Sequence, residues 1–467
     1  MDAQQEPLTT REPRGITKET RRAIIAGTVG NTMEWYDFAV YAYLTPVISR
    51  LFFPGGDPLI GVLSTFAIFA FGFLMRPVGA VFFGWYADKV GRKQALIASV
   101  TLMGVATICL GLIPTNFQAG VLATVLLTLC RLVQGFSLGG EYGTSTSFLV
   151  EYAPKGKRGL YGSLSYFSSI LGMAIGAIVV LVLNLILPPE AMDAWGWRVA
   201  FLLSFPLLAF GTYVRLRIGE TPEFKKSREA AKGVSTPMIT IFRVHWRSMV
   251  NVVGIGLGFA ISSYVVLSFV LTFLQKVVGV PAIPAYLTVV VATLFGAALI
   301  PLFGWLSDKY GRKPVLVAAC LASIVLPVLG FFVVITGSLP AVMIGQLLMW
   351  IPVSIFAGVT PSAYAEMFPT EVRVSGFGIA YAVATALFSG TAPFVATLLV
   401  EVTGSPVAPG WYITLAGLIS LFFVCRLRET SREDLPSNAK KEVAESKETN
   451  AAGLKGPANP TVIVAEP

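Results

Sequence analysis

The sequence predicts an all-α integral membrane protein with twelve transmembrane helices in two six-helix halves. Hydrophobic residues make up 55% of the 467 residues and charged residues only 13%, whereas charged residues are about 25% of a typical soluble domain. Apolar runs long enough to cross a ~30 Å hydrocarbon core recur along the chain, and two loop sequences of the first half recur in the second. A transmembrane β-barrel would instead show alternating segments of about 10 residues.

The apolar runs define the twelve helices, which we call spans 1 to 12. The first run follows a polar leader and has no small-residue cleavage site, so we interpret it as a retained span and not as a signal peptide. The predicted spans are 24–52, 59–86, 94–113, 118–150, 159–187, 195–215, 247–277, 284–307, 314–336, 339–364, 374–400 and 409–427.

Lysine and arginine are concentrated in alternate loops and at both ends of the chain. This bias predicts cytoplasmic N- and C-termini in the cell (inner) membrane. It also explains the net charge of +9 through contact with anionic lipid, without a nucleic-acid partner. The predicted organisation is a cytoplasmic leader (1–23), an N-terminal six-helix bundle (24–215), a cytoplasmic middle loop (216–246), a C-terminal six-helix bundle (247–427) and a disordered cytoplasmic tail (428–467).

Two pairs of similar loops show that the halves repeat. GWYADKVGRKQAL at 84–96 matches GWLSDKYGRKPVL at 304–316, and EYAPKGKR at 151–158 matches EMFPTEVR at 366–373. Each pair occupies equivalent loops of the two halves. Parallel repeats of six helices are typical of secondary transporters, in which one half rocks against the other around a central site.

The repeated loop resembles the signature of the major facilitator superfamily. GNTMEWYDF (30–38), FLMRPVGA (73–80), RLVQGFSLGGEYGTS (131–145), WGWR (195–198) and AEMFPTEVR (365–373) resemble the metabolite:proton symporter family within it. The resemblance implies rocker-switch alternating access with a cytoplasmic gate, because charge-assisted contacts between helices at one face hold only while that face is closed. The predicted gate residues are Gly84, Asp88, Gly91, Arg92, Gly304, Asp308, Gly311, Arg312, Glu151, Arg158, Glu366 and Arg373.

Five ionisable residues lie deep inside spans of the first half: Glu34, Asp37, Arg76, Arg131 and Glu141. Each would cost roughly 3 kcal/mol in lipid, so they are expected to face the interior or one another. On helical geometry Tyr41 shares a stripe with the acids of span 1, and Gln134 shares one with the charges of span 4.

Two interpretations of these charges remain open. The acids and arginines could neutralise each other as buried ion pairs that stabilise the bundle. Alternatively, Arg76 and Arg131, with Tyr41 and Gln134, bind an anionic metabolite while an acid carries a proton. Asp37 is the first choice for that acid, ahead of Glu34 and Glu141, and Glu34 is expected to pair with an arginine.

Two buried arginines favour proton-coupled uptake of a small organic acid such as a di- or tricarboxylate. The run at 131–145 resembles α-ketoglutarate permeases and citrate symporters, whereas GNTMEWYDFAVYAYL and ETPEF (220–224) resemble proline/betaine transporters equally well. Proline/betaine transporters typically carry a lysine at the position of Arg131 and end in a coiled coil, and this chain has neither, so we rank an organic acid above a zwitterionic osmolyte. A transporter-like sensor is a further alternative. No nucleophile, metal cluster or cofactor motif indicates an enzyme, and the expected partners are the metabolite, protons and the bilayer, with the protein a monomer.

Overall fold

The structure is a computed structural model in which the described residues are 28, 31–32, 35–55, 57–90, 92–140, 146–147, 149–151, 153–206, 209, 238–369, 372–433 and 435–436. Side chains are not described at 84, 87–89, 92–93, 96, 140 and 238–242. Within these ranges every regular element is a helix, and eight helices are long and apolar enough to span a membrane. Two shorter apolar helices, 97–112 and 121–137, belong to spans 3 and 4. The predicted all-α membrane fold is therefore confirmed.

The helices of the first half follow the predicted order. Span 1 comprises residues 35–43 and Thr45–Phe52, and span 2 comprises Pro58–Leu74 and Arg76–Val90. Span 3 is Arg92–Leu112; a short helix, Asn116–Ala119, then precedes span 4, Val121–Ser137, which continues as a 3-10 turn over Leu138–Gly140. Span 5 is Arg158–Ile186, and after Pro189–Ala191 and a π-helical turn, Met192–Gly196, span 6 is described over Trp197–Leu202.

The second half is described more completely. Span 7 runs from Met238–Tyr264 through π-helical Val265–Phe269, Val270–Phe273 and a second π-helical stretch, Leu274–Val278. Spans 8, 9 and 10 are Ala282–Tyr310, Arg312–Val334 and Leu339–Glu366. Span 11 comprises Arg373–Ala384, π-helical Thr385–Ser389 and Ala392–Thr403, and span 12 is Ala408–Arg426. Most of the predicted middle loop, 216–237, lies outside the described residues, and its last part, 238–246, is helical, with a kink at His245 (φ −108°, ψ 15°) that separates it from the rest of span 7.

Local sequence signals mark several helix ends. Asp57 accepts a hydrogen bond from Leu59 N at 2.9 Å and stands directly before Pro58, the first residue of span 2, as expected for an N-cap followed by proline. Thr115 and Gln118 form a capping box before span 4. Span 7 ends at Gly279, whose φ of 81° is left-handed, a conformation that glycine adopts without strain.

Several glycines allow close helix contacts in the bundle, and two of them show the principle. At Gly135 of span 4, a Cβ would lie 1.7 Å from the carbonyl oxygen of Gly72 in span 2. At Gly159 of span 5, a Cβ would lie 2.4 Å from the carbonyl oxygen of Gly304 in span 8, so this second contact joins the two halves. Small residues at such positions allow helices in a membrane to pack with backbones nearly touching.

We expect Gly135→Ala to destabilise the protein, because its methyl group would overlap a backbone oxygen that a rotamer change cannot move away. Overpacking costs about 1–3 kcal/mol. The melting temperature of the detergent-purified protein should fall clearly below that of the wild type. Gly111→Ala is the matched control, since the nearest atoms to its Cβ are side-chain atoms of Phe201 and Leu202 at 3.2 Å. Equal melting temperatures for the two variants would contradict the contact.

Candidate functional site

A small cavity of ≈ 30 Å³ lies between the two halves. This volume is enough for one or two water molecules, so the helices close around the centre of the bundle. Its lining is largely aromatic and comes from spans 1 and 5 of the first half and from spans 7, 10 and 11 of the second. The aromatic lining residues are Trp35, Tyr166, Phe259, Tyr264, Tyr364 and Tyr381.

Two buried arginines lie in the first half, and one of them, Arg76, is close to a ring of the cavity wall. Arg76 and Arg131 are 5% and 1% exposed, and their Cζ atoms are 4.9 Å and 5.1 Å from the ring centre of Phe38, which both groups contact. Arg76 also lies 3.8 Å from the ring of Phe73, and Arg131 lies 3.8 Å from the ring of Tyr41. Aromatic faces stabilise desolvated cations. The ring contacts therefore supply part of the stabilisation of the guanidinium charge that a paired carboxylate would otherwise provide.

Both guanidinium groups keep donors that could bind an anion. Among the described residues, Nε of Arg76 and both Nε and Nη2 of Arg131 have no hydrogen-bond acceptor. Trp35 connects Arg76 to the cavity, because its ring lines the cavity and lies 5.8 Å from the Arg76 Cζ. Buried donors without acceptors are costly, and a carboxylate near this wall would be placed to accept from Arg76.

Asp37 is linked to Arg131 through two intervening side chains. Arg131 Nη1 donates to Gln134 Oε1 at 2.7 Å, Gln134 Nε2 donates to Thr107 Oγ1 at 2.7 Å, and Thr107 Oγ1 donates to Asp37 Oδ2 at 2.8 Å. Asp37 is 4% exposed, and in the described part of the chain its Oδ1 has no donor. We call this chain of hydrogen bonds the Asp37 relay. The acid and the arginine are thus connected without a direct ion pair.

The structure brings together some of the sequence-predicted site residues. Gln134 lies inside the relay, and Tyr41, besides covering Arg131, donates its hydroxyl to Thr65 O at 3.0 Å; neither residue lines the cavity. Thr107 and Phe38 were not among the predicted site residues, because a threonine and a phenylalanine within apolar runs carry no distinctive signal. Glu34, Glu141 and Gly91 lie outside the described residues, and of Gly84, Asp88 and Arg92 only the helical backbone is described.

Charged side chains cluster at the end of the bundle that holds the second repeat loop, 304–316; we call it the repeat-loop end. The carboxylate of Asp308 accepts hydrogen bonds from Gly159 N at 2.7 Å and Leu160 N at 2.9 Å. It therefore caps the N-terminus of span 5, which belongs to the other half, and a helix N-terminus favours negative charge. Gly304 packs against Gly159 beside this cap, and Gly311 links spans 8 and 9 with a φ of 107°.

Ion pairs surround this cap. Arg312, 1% exposed, contacts Glu366 at 3.0 Å and Asp308 at 2.9 Å within the second half. Two further pairs cross between the halves: Arg158 lies 3.6 Å from Glu366, and Arg373 lies 2.5 Å from Glu151. Eight of the twelve predicted gate residues thus lie at one closed face: Glu151, Arg158, Gly304, Asp308, Gly311, Arg312, Glu366 and Arg373.

The chain beyond span 12 also contacts this face. Glu429 accepts hydrogen bonds from Arg312 N at 2.8 Å and Lys313 N at 2.9 Å, and Thr430 donates its hydroxyl to Glu366 at 2.6 Å. Partial burial raises the pKa of Glu429, but the backbone N–H groups of Arg312, Ser431 and Lys313 outweigh it and leave the pKa below its ordinary value. The sequence predicts disorder from residue 428; the described residues 428–433 and 435–436 instead lie against the bundle.

The opposite end is closed by an uncharged contact. Tyr286 of span 8 donates its hydroxyl to Tyr43 O of span 1 at 2.8 Å, which joins the two halves. Arg50 and Asp193 pair nearby at 2.7 Å within the first half, with both side chains partly exposed. The central cavity therefore lies between two closed ends, one held mainly by charges and the other by neutral groups.

Comparisons with known proteins identify the family. The family model for the sugar (and other) transporter matches residues 23–424. A proline/betaine transporter of Salmonella typhimurium is 33% identical over 92% of this chain and 88% of its own, and a glycine betaine/proline/ectoine/pipecolic acid transporter of Dickeya dadantii is 34% identical over 92% and 87%.

Solved structures agree on the fold. A partially occluded, inward-open conformation of the xylose transporter XylE from E. coli has a TM-score of 0.71 at 17% identity, covering 90% of this chain and 100% of its own. A crystal structure of a D-xylose-proton symporter has a TM-score of 0.69, also at 17% identity, covering 89% and 100%. The prediction of a transporter and not an enzyme is confirmed, and the chain belongs to the sugar (and other) transporter family and has the predicted major facilitator fold.

Proposed function

We propose that this transporter couples proton movement to the uptake of a zwitterionic osmolyte of the proline or betaine type, by alternating access. The observation that carries the proposal is the closed central cavity, whose aromatic wall lies beside the guanidinium group of Arg76. A zwitterion presents a cation and a carboxylate close together. Aromatic rings suit the ammonium group, and a guanidinium suits the carboxylate.

The arrangement of the arginines supports a ligand with one carboxylate. Arg131 already donates Nη1 to Gln134 within the Asp37 relay. Arg76, in contrast, lies close to Trp35 of the cavity wall, so it is the guanidinium group placed to bind the carboxylate. The relatives named above, which transport proline and betaines by their names, point the same way. We therefore reverse the ranking made from the sequence, and place the zwitterionic osmolyte ahead of a di- or tricarboxylate.

Asp37 is our candidate for the proton carrier. It is the buried acid of the first half among the described residues, and a buried carboxylate without full hydrogen bonding is costly when charged. Its hydrogen-bonded connection to Arg131 supports a proton site that is electrostatically coupled to the arginines. Proton binding and substrate binding can then influence each other through shared charges.

The repeat-loop end is our candidate for the cytoplasmic gate. The excess of lysine and arginine in loops on this side supports a cytoplasmic position, with both termini on the same side of the inner membrane. Opening this face would separate Arg158 from Glu366, Arg373 from Glu151, and Asp308 from span 5. Such contacts favour the state in which this face is closed.

Asp37→Asn should abolish accumulation of labelled proline or glycine betaine driven by a pH gradient, because the amide cannot release a proton. Counterflow, which needs no net proton movement, should persist. The measurement is uptake into proteoliposomes, with citrate and α-ketoglutarate tested as alternative substrates. Glu401→Gln, an acid-to-amide change at an exposed position of span 11, should behave as wild type. Accumulation by Asp37→Asn at the wild-type level would refute Asp37 as the carrier.

Trp35→Leu should weaken binding of glycine betaine, because the ligand's quaternary ammonium group loses a ring face in the cavity wall. A desolvated cation–π contact is worth about 1–2 kcal/mol, so the KM should rise by roughly fivefold to thirtyfold, with a smaller rise for proline. KM values in counterflow would measure this. Trp305→Leu removes a ring that is 47% exposed on span 8 and should leave KM unchanged.

Glu429→Gln should lower the melting temperature at neutral pH, because the amide cannot replace the carboxylate at the start of span 9. The pKa of Glu429 is lowered in the folded protein, so its stabilisation is complete above the unfolded-state pKa of about 4.3. It is lost as the pH falls through the folded-state pKa. The melting-temperature difference from wild type should therefore be present at pH 7 and shrink below about pH 4.

Glu433→Gln is the control for this measurement. The Glu433 side chain pairs with Arg428 at 3.4 Å where both are mostly exposed, and such surface pairs contribute little. A pH-independent difference for Glu429→Gln, or an equal effect of Glu433→Gln, would contradict the assigned capping role.

A further inference from the structure

The Thr107 hydroxyl has two possible acceptors within reach. Its Oγ1 lies 2.8 Å from Asp37 Oδ2 and 3.0 Å from the carbonyl oxygen of Met103, four residues earlier in span 3. The same oxygen accepts a hydrogen bond from Gln134 Nε2 at 2.7 Å. A hydroxyl carries one proton and two acceptor lone pairs, so Thr107 can donate to Asp37 or to Met103, but not to both.

Each protonation state of Asp37 allows one arrangement in which the Thr107 hydroxyl is fully bonded. When Asp37 is ionised, Thr107 donates to it and accepts from Gln134. When Asp37 is protonated, its own O–H can donate to Thr107 Oγ1, and the Thr107 proton then turns to the Met103 carbonyl. In both arrangements Gln134 still donates to Thr107, and neither arrangement leaves the hydroxyl without partners.

We propose that Thr107 and Gln134 are positioning residues that transmit the protonation state of Asp37 to Arg131. This inference rests on the proposed function and specifies how its proton and substrate sites are coupled. With Asp37 ionised, every donor in the relay points from the cationic group toward the anion, and polarised chains of this kind strengthen each other. Once Asp37 is neutral, that attraction disappears, and the Arg131 charge, which interacts electrostatically with Arg76, adds to the attraction that Arg76 exerts on a substrate carboxylate.

The surroundings of Asp37 leave the relay as its main connection to a cation. Among the described residues, the ionisable groups that interact electrostatically with Asp37 are Arg131 of span 4 and Tyr36 of span 1 itself. Tyr36 donates its hydroxyl to Ala200 O of span 6 at 2.7 Å, and the facing side chain of span 3 is the uncharged Thr107. The acid can therefore influence Arg131 without a second charge between them.

The test compares Thr107→Val with Thr107→Ser in proteoliposomes. Valine keeps the shape but removes the hydroxyl, so gradient-driven accumulation should fall at least tenfold while counterflow at saturating substrate stays within about twofold. The pH of half-maximal counterflow should rise, because the ionised carboxylate has lost a donor. Serine keeps the hydroxyl and should restore both the accumulation and the pH profile.

Two further variants complete the design. Thr128→Val is the matched control, because the Thr128 hydroxyl bonds only to Thr124 O of its own helix among the described residues, and it should behave as wild type. Gln134→Met removes the hydrogen bonds of Gln134 to Thr107 and Arg131 and should reproduce the Thr107→Val effect. If Thr107→Val fails to fold, the result for Gln134→Met tests the proposal in its place. A wild-type pH profile and full accumulation in either folded relay variant would overturn the proposal.

The outcomes separate this inference from the function on which it rests. If the wild-type protein shows no pH-driven accumulation, the proposed function fails. If the wild-type protein and Asp37→Asn behave as predicted, but the two relay variants accumulate normally, only the relay fails.

Discussion

The high cost of an unpaired charge away from water governs where the described charged side chains of this transporter lie. At the repeat-loop end the solution is direct pairing, as in Arg312 with Glu366 and Asp308. At the centre it is different: Arg76 and Arg131 lie against aromatic rings, and Asp37 reaches an arginine only through neutral side chains. Direct ion pairs suit a contact that opens and closes. Arginines that lie against rings, without a direct ion pair, keep N–H donors available to a ligand.

The two halves repeat in architecture but contribute different chemistry to the centre. The first half supplies the described central charges, and the second supplies much of the aromatic wall. Phe73 joins these contributions: its ring covers the Arg76 guanidinium at 3.8 Å, and on another side packs edge-on against Tyr264 of span 7 at 5.1 Å. A movement between the halves therefore changes the environment of an arginine directly, without an intervening loop.

The sequence predicted the spans well, because an apolar run of sufficient length has few structural alternatives in a membrane. Spans 8 to 12 begin and end within a few residues of their predicted bounds.

The central site was predicted only in part. Arg76, Arg131 and Asp37 stand out as charges in apolar helices, but Gln134 was assigned to the substrate since helical stripes do not show which neighbour a side chain reaches. Thr107 could not be identified, because its role depends on how span 3 packs against spans 1 and 4. Glu429 was missed since its polar segment resembles a disordered tail.

The two closed ends differ in what opening them would cost. Opening the repeat-loop end exposes the N-terminus of span 5 and breaks two ion pairs between halves, whereas opening the other end breaks the neutral contact from Tyr286 to Tyr43. Charge-assisted contacts are about twice as strong as neutral ones, so the repeat-loop end is the harder to open. A ligand helps only through contacts that differ between states. Ser389 and Tyr364 carry cavity-lining hydroxyls without partners in the described part of the chain. A polar ligand must widen the cavity of ≈ 30 Å³ to enter it, and by satisfying these hydroxyls it would offset part of the energy of the closed state through which transport must pass.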